Sequence, residues 1–284
     1  MNDPRKFFPL SLSSALCSSF FTYLQTHRPE MTPAYRWAQS PSCFGHSKMC
    51  EPASASASHI LSHGTTVLAF KYERGVLIAG DRRATEGYQI ADHRMEKVFQ
   101  TDEYSAIAIA GAAGPCLEMA KLFSIELEHY EKVDGVRLSC EGKANRLGHM
   151  VKANFPLVLQ GLVVIPLFVG YDLKREAGRI FKYDITGGRY EETEFHTVGS
   201  GGKEARLTIK EHFRPGMTED EAIRLALRAL SNAAEEDVGT GGPDPVRGIY
   251  PTMKFVNDAG VQTVDESRLQ ATWNELSAER GTRN

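Results

Sequence analysis

The 284-residue chain lacks any apolar run of about 18 residues, so its sequence offers no membrane-spanning helix. It also lacks runs of lysine or arginine, and its net charge is −3, so no basic face for nucleic acid is indicated. Cysteine is scarce. The five present are Cys17, Cys43, Cys50, Cys116 and Cys140, and their spacing matches neither a metal site nor a disulfide framework. That usage fits a reducing compartment. There is no internal repeat, and Gly111-Ala112-Ala113-Gly114 lacks the spacing of a dinucleotide fingerprint. No cofactor and no metal are therefore expected. What remains is the composition of an ordinary soluble protein, long enough for one large domain plus an extension or for two small domains.

The extension is at the front. Residues 1–64 are rich in Ser, Ala and Pro, with a low-complexity stretch at Ser54–Ser58. Such a segment buries too little apolar surface to offset the entropy of ordering, so it should stay largely flexible. Arg5 and Lys6 precede residues 7–24, a faint secretory-signal pattern that Pro9 and the many serines weaken. A cytoplasmic location is expected.

Regular structure begins at Thr65. TTVLAFKY (65–72) and GVLIAGD (75–81) are strands joined at Glu73-Arg74-Gly75, and both are apolar on two faces. Strands of that kind are covered on both sides. Further strands are expected at about 94–100 and 104–111, then helices over 115–130 and 141–160, the latter bent by Pro156. Strands follow at 162–171, 179–184 and 193–198, then helices over 202–213 and from Thr218, which forms a capping box with Glu221. Strands at 251–257 and 260–265 precede a polar tail from about 266. This order implies an α+β fold, a four-layer αββα sandwich of two antiparallel sheets between helix layers. The division is a propeptide over 1–64 and a domain over 65–284.

Five features of this frame carry chemistry. Gly64-Thr65-Thr66 lies where a floppy leader meets a core strand. A threonine hydroxyl needs a base, and a free α-amine on the same residue is one, with a reference pKa of about 8. An amide nitrogen cannot serve, so this chemistry requires cleavage of the Gly64–Thr65 bond. Asp81 closes the second strand, and a hairpin brings that end beside the start of the first. Lys97, flanked by Met95 and Phe99, is a partly desolvated lysine whose charge needs a partner, and Asp81 is the candidate. The turn Ala110–Gly114 can present a glycine N–H to an oxyanion. Finally, Gly199–Gly202 and Glu235–Gly242 are glycine-rich loops at helix ends. Acid there opposes the helix dipole, which points to a job for Asp237, orienting Ser200 or the Thr65 amine.

Together TTVLAF, GDRRAT, MEKVF, the AGAAG turn, VGSGG and EEDVGTGGPD resemble a proteasome β subunit, over Thr65 to about Leu269. The GGPD loop and long leader are most similar to the actinobacterial type. The resemblance implies a threonine endopeptidase that cleaves itself between Gly64 and Thr65. Thr65 is then the nucleophile, Asp81 and Lys97 its charged supports, and Ser200 and Asp237 complete the polar network. Thr240 stands where the family commonly has serine. Gly111 supplies the oxyanion N–H. Thr85 and Ala113 pair with the substrate backbone, and Ala84, Met95, Ile109, Ala113 and Leu117 line the pocket before the scissile bond. Met95 and Ile109 make that pocket apolar, so cleavage after hydrophobic residues is expected. The implied assembly is a barrel with two rings of seven β subunits between two rings of seven proteasome α subunits. An ATPase cap would feed it unfolded, modifier-tagged protein substrates, with no nucleic acid or membrane partner.

Three rivals stand beside this reading. A simpler bacterial ATP-dependent protease subunit shares the Thr-Thr start but is shorter and lacks such a leader. A non-catalytic ring subunit of the same fold usually lacks the Thr, Asp and Lys set, which this chain keeps. An amidase using the same nucleophile on small molecules is the third.

Overall fold

The computed structural model describes residues 64–87 and 89–281. The secretory-like pattern, the leader ahead of Gly64, and Cys17, Cys43 and Cys50 lie outside them.

The described residues open on a hairpin, β1 (Thr66–Tyr72) and β2 (Gly75–Gly80). A small hairpin follows, β3 (Ala84–Glu86) and β4 (Gln89–Asp92), then β5 (Val98–Asp102) and β6 (Ser105–Gly111). Next come α1 (Ala113–Asp134), α2 (Cys140–Ala153) and the short α3 (Phe155–Val158). Strands β7 (Val164–Asp172), β8 (Ala177–Tyr183), β9 (Arg189–Glu192) and β10 (Phe195–Gly199) lead to α4 (Gly202–His212) and α5 (Glu219–Glu236). The chain closes with β11 (Thr252–Asn257), β12 (Gly260–Thr263) and α6 (Glu266–Gly281).

Two five-stranded antiparallel sheets result, ordered β10-β1-β2-β11-β12 and β5-β6-β7-β8-β9. Successive side chains in a strand point to opposite faces, and both faces are used. Leu68, Phe70, Leu77 and Ala79 join a core with Ala226, Leu227 and Leu230 of α5. Val67, Ala69, Val76 and Ile78 face the other way, into a core shared with Ala106, Ala108, Leu167 and Val169 of the second sheet. Ile107, Ile109 and Phe168 then meet Phe123 and Leu147 of α1 and α2. Three apolar layers therefore separate four layers of structure, as the doubly apolar strands imply. Burying each of the Val, Leu, Ile and Phe side chains among these contributes roughly 1.5–3 kcal/mol. Ala106, Ala108 and Ala110 of β6 put small side chains into the core between the sheets.

Several elements differ from the sequence reading. The helix expected over 141–160 is broken at Asn154, because Pro156 lacks an N–H and its ring would strike the carbonyl four residues back. The helix expected to end at 130 runs on to Asp134, and Tyr130 is exposed. The strand expected from 94 starts at Val98, and Lys97 extends its ladder through one bond from the Ile109 N–H to the Lys97 carbonyl, 3.1 Å. The segment read as a polar tail from 266 folds as α6. Leu269 and Leu276 are buried in the first core, with Trp273 packed against it. The α5 capping box is present as read, Thr218 with Glu221.

Candidate active site

Strand β1 lies inside its sheet, so both neighbours deliver their ends to its first residues. The register pairs Thr66 with Gly199 of β10 and Val67 with Gly80 of β2. Ser200 therefore follows β10 at the level of Thr65, and its N–H donates to the Thr65 carbonyl at 2.9 Å. Asp81 follows β2 opposite Thr66, and its N–H donates to the Thr66 carbonyl at 3.0 Å. The hairpin brings Asp81 to Thr66, one residue beyond the expected position, and reaches Thr65 indirectly.

The Asp81 side chain is fully buried. Its carboxylate accepts four hydrogen bonds, from Lys97 Nζ (2.8 Å) and the backbone N–H groups of Thr66 (2.8 Å), Arg83 (3.0 Å) and Gly241 (2.9 Å). Two oxygens with about four lone-pair sites are thus filled. Lys97 is 3% exposed and donates to three acceptors: Asp81, the Arg83 carbonyl (2.6 Å) and the Gly64 carbonyl (3.3 Å). Three acceptors match the three N–H bonds of an ammonium. Burial holds the Lys97 pKa below the ordinary lysine value, while Asp81 pulls it back up. The pair places a positive charge against the carbonyl of Gly64.

Thr65 is 4% exposed. Its hydroxyl donates to that same Gly64 carbonyl at 2.7 Å. Its nitrogen is still an amide, and its N–H donates to Ser200 Oγ at 3.2 Å. Ser200 donates to Asp237 Oδ2 at 2.5 Å, and Thr240 Oγ1 donates to the same oxygen at 2.5 Å. Thr240 also meets Thr66 Oγ1 at 2.6 Å. Asp237, the residue that caps α5, therefore orients Ser200 directly and the Thr65 nitrogen through it. Six residues from five places in the sequence, Thr65, Asp81, Lys97, Ser200, Asp237 and Thr240, share one hydrogen-bonded network.

Other expected site residues are more scattered. Thr85 is buried in β3, and its hydroxyl accepts from the Gly64 N–H at 3.0 Å, so it meets the residue before the Gly64–Thr65 bond. Gly111 ends β6 with φ 130°, where a side chain would be strained, and an added methyl would lie 2.0 Å from the Val163 carbonyl oxygen. Ala84, Met95 and Ala113 are half-buried and Leu117 is exposed. Ile109 is 3% exposed and packs in the helix–sheet core beside Cys116 and Phe123. Burial pushes the Cys116 thiol up to about 12, partly offset by Lys97, so it is no thiolate nucleophile. No three His, Cys, Asp or Glu side chains among the described residues are grouped as a metal site needs.

This network sits inside a sequence whose relatives are recognisable. The proteasome subunit family matches residues 61–246. The chain belongs to that family. A proteasome subunit beta of Acidimicrobium ferrooxidans is 52% identical over 78% of this chain and 82% of its own length. One from Rhodococcus jostii is 47% identical over 95% of this chain and 92% of its own. A proteasome subunit beta 1 of Rhodococcus erythropolis matches to the same extent. This proteasome subunit is thus β-type, a catalytic subunit of a 20S-type particle and a hydrolase.

The sequence reading missed three contributors to the proteasome subunit's network. Thr66 supplies an N–H to Asp81 and a hydroxyl to Thr240. Arg83 supplies its carbonyl to Lys97 and its guanidinium to the Val238 carbonyl at 2.9 Å. Gly241 supplies an N–H to Asp81. The hydroxyl of Thr66 next to Thr65 was the one visible signal. Backbone donors and acceptors carry none.

Proposed function

We propose that this β subunit is a threonine-type endopeptidase made as a precursor with a propeptide over residues 1–64, which it removes by cutting its own Gly64–Thr65 bond. The observation that carries this is the convergence of the Thr65 hydroxyl and the Lys97 ammonium on one carbonyl, that of Gly64. Lys97 polarises that carbonyl, and the Thr65 oxygen attacks its carbon. The new C–O bond replaces the C–N bond, the hydroxyl proton passes to the departing Thr65 nitrogen, and an ester to the Thr65 side chain results. Water then hydrolyses the ester, releasing the leader as a carboxylate and Thr65 with a free amine.

That amine is the base for the mature enzyme. It takes the Thr65 hydroxyl proton while the oxygen attacks a peptide carbonyl, and the Gly111 N–H receives the oxyanion. The proton passes to the departing amine, and water releases the acyl group. Loss of Gly64 leaves Lys97 with two of its three acceptors, so its third N–H can turn to the Thr65 oxygen. Ser200, Asp237 and Thr240 hold the amine in place. Thr85 and Ala113 align the substrate, and Ala84, Met95, Ile109, Ala113 and Leu117 select an apolar residue before the scissile bond.

The subunit works within rings of β subunits stacked on α subunits, in the cytoplasm, on unfolded and modifier-tagged proteins delivered by an ATPase cap. Support for assembly comes from the family itself. Among the described residues no helix is long and apolar enough to cross a membrane. Sequencing the amino terminus of the mature chain tests the core of this reading. It should begin at Thr65, and Thr65→Ala should keep the leader and hydrolyse no peptide. A mature chain starting elsewhere, or an active alanine variant, overturns it. A peptide panel with apolar, acidic or basic residues before the cut tests the pocket, and an acidic preference rules it out.

A further inference from the structure

The Gly64 backbone lies against the backbone of Gly239, in the loop after α5. A methyl group on Gly64 would sit 2.0 Å from Gly239 Cα, 2.5 Å from its carbonyl carbon and 2.6 Å from its oxygen. The reverse also holds: a methyl on Gly239 would lie 2.3 Å from Gly64 Cα. Ordinary contact begins near 3.4 Å. Each glycine therefore occupies the space that the other's side chain would need. This wall cannot yield cheaply, because the loop is pinned on three sides. The Gly239 N–H donates to Asp237 at 3.1 Å, the Val238 carbonyl accepts from Arg83 at 2.9 Å, and the Gly241 N–H donates to Asp81 at 2.9 Å. Moving the loop disturbs the two carboxylates of the network itself.

A peptide substrate carries a side chain on the residue before its scissile bond, so it cannot be seated as Gly64 is. We infer that Gly239 is a positioning residue specific to self-cleavage. Its bare backbone admits only glycine at position 64 and presses that residue's carbonyl toward Thr65 and Lys97. Substrates are read by a different surface. The inference rests on the self-cleavage reading above, and it separates two specificities in one site: glycine for the leader, apolar for substrates.

The test uses full-length chains co-assembled with the partner α subunit: the parent, Gly239→Ala, Gly64→Ala and the double variant. Leader removal is followed by intact mass. A second form of each position-239 chain ends its leader in a recognition site for an added protease, which frees Thr65 without self-cleavage. We expect Gly239→Ala to slow leader removal at least tenfold, while kcat/KM for an apolar peptide stays within threefold once Thr65 is freed by the added protease. Gly64→Ala should be slowed similarly, and the double variant should be slower by less than the product of the two effects, since one contact is lost in both. Unchanged leader removal in Gly239→Ala overturns the inference. Equal losses in leader removal and peptide hydrolysis also overturn it, because they mark general damage. If the parent itself is never cut at Gly64–Thr65, the self-cleavage reading fails instead.

Discussion

Lys97→Met isolates the charge at the centre of the site. Methionine keeps the chain length and most of the volume, so little cavity is created. What is lost is the only cationic partner that Asp81, a carboxylate with 0% exposure, has among the described residues. Removing one member of a buried pair costs about 3–5 kcal/mol, because the other charge stays behind. Three backbone N–H groups, from Thr66, Arg83 and Gly241, remain on Asp81 and hold part of that charge. The loss should therefore fall at the lower end, about 3 kcal/mol. In a domain of this size each kcal/mol lowers Tm by about 2–4 °C, so the precursor should melt about 6–12 °C below the parent. Adding Asp81→Asn removes the stranded charge and should restore part of the difference. The assay is thermal melting of the purified precursor by circular dichroism, with leader removal followed in parallel. A single variant that melts within about 1 °C of the parent refutes the reasoning, since no buried, paired carboxylate could then depend on Lys97.

Three further perturbations test the oxyanion turn, the charge on Lys97 and the packing of α6. Gly111→Ala must place a methyl on a backbone with φ 130°, against the Val163 carbonyl. Peptide hydrolysis should fall about 10²–10³-fold with the displaced oxyanion donor, and a kcat/KM within twofold of the parent contradicts that role. Because burial lowers the Lys97 pKa, leader removal should be complete in the protonated state and fall as pH rises, with a midpoint below 10.5. Over that window the unfolded chain binds more protons than the folded one, so this group's contribution to stability rises with pH as the rate falls. A pH–rate profile with a midpoint at or above the free-lysine value argues against it. Leu276→Ala should cost about 2–3 kcal/mol in chemical denaturation, because Leu276 is buried against the helix layer, and an unchanged midpoint would mean that α6 does not pack there.

Much of this architecture is legible in the chain, and the parts that are not share a cause. Strands β1 and β2 are apolar on both faces, which no one-sided sheet tolerates, so the layered fold could be read directly. The hairpin rule then carried Asp81 to the site, because it depends only on local topology. The β3–β4 hairpin escaped notice because every residue of β4 is exposed and shows no apolar alternation. Strand β9, Arg-Tyr-Glu-Glu, is a polar edge strand with the same defect. Helix α6 did have a signal in Leu269, Trp273 and Leu276, spaced by four and three residues, but polar neighbours diluted it. In the site, side-chain chemistry pointed to Lys97, Ser200 and Asp237. The Arg83 carbonyl on Lys97 and the Gly239 wall against Gly64 involve backbone atoms distant in sequence, and no residue type announces them.

The position of β1 between β2 and β10 bears on what a cut does to the protein. The Thr65 carbonyl is held by Ser200, and both backbone groups of Thr66 are held by Asp81. None of these restraints belongs to the leader. Severing the Gly64–Thr65 bond therefore creates a new chain end that has no slack: it inherits its coordinates from strands on either side. Maturation on this plan is a change of chemistry without a change of shape. The amides of β1 should exchange with solvent as slowly after the cut as before it.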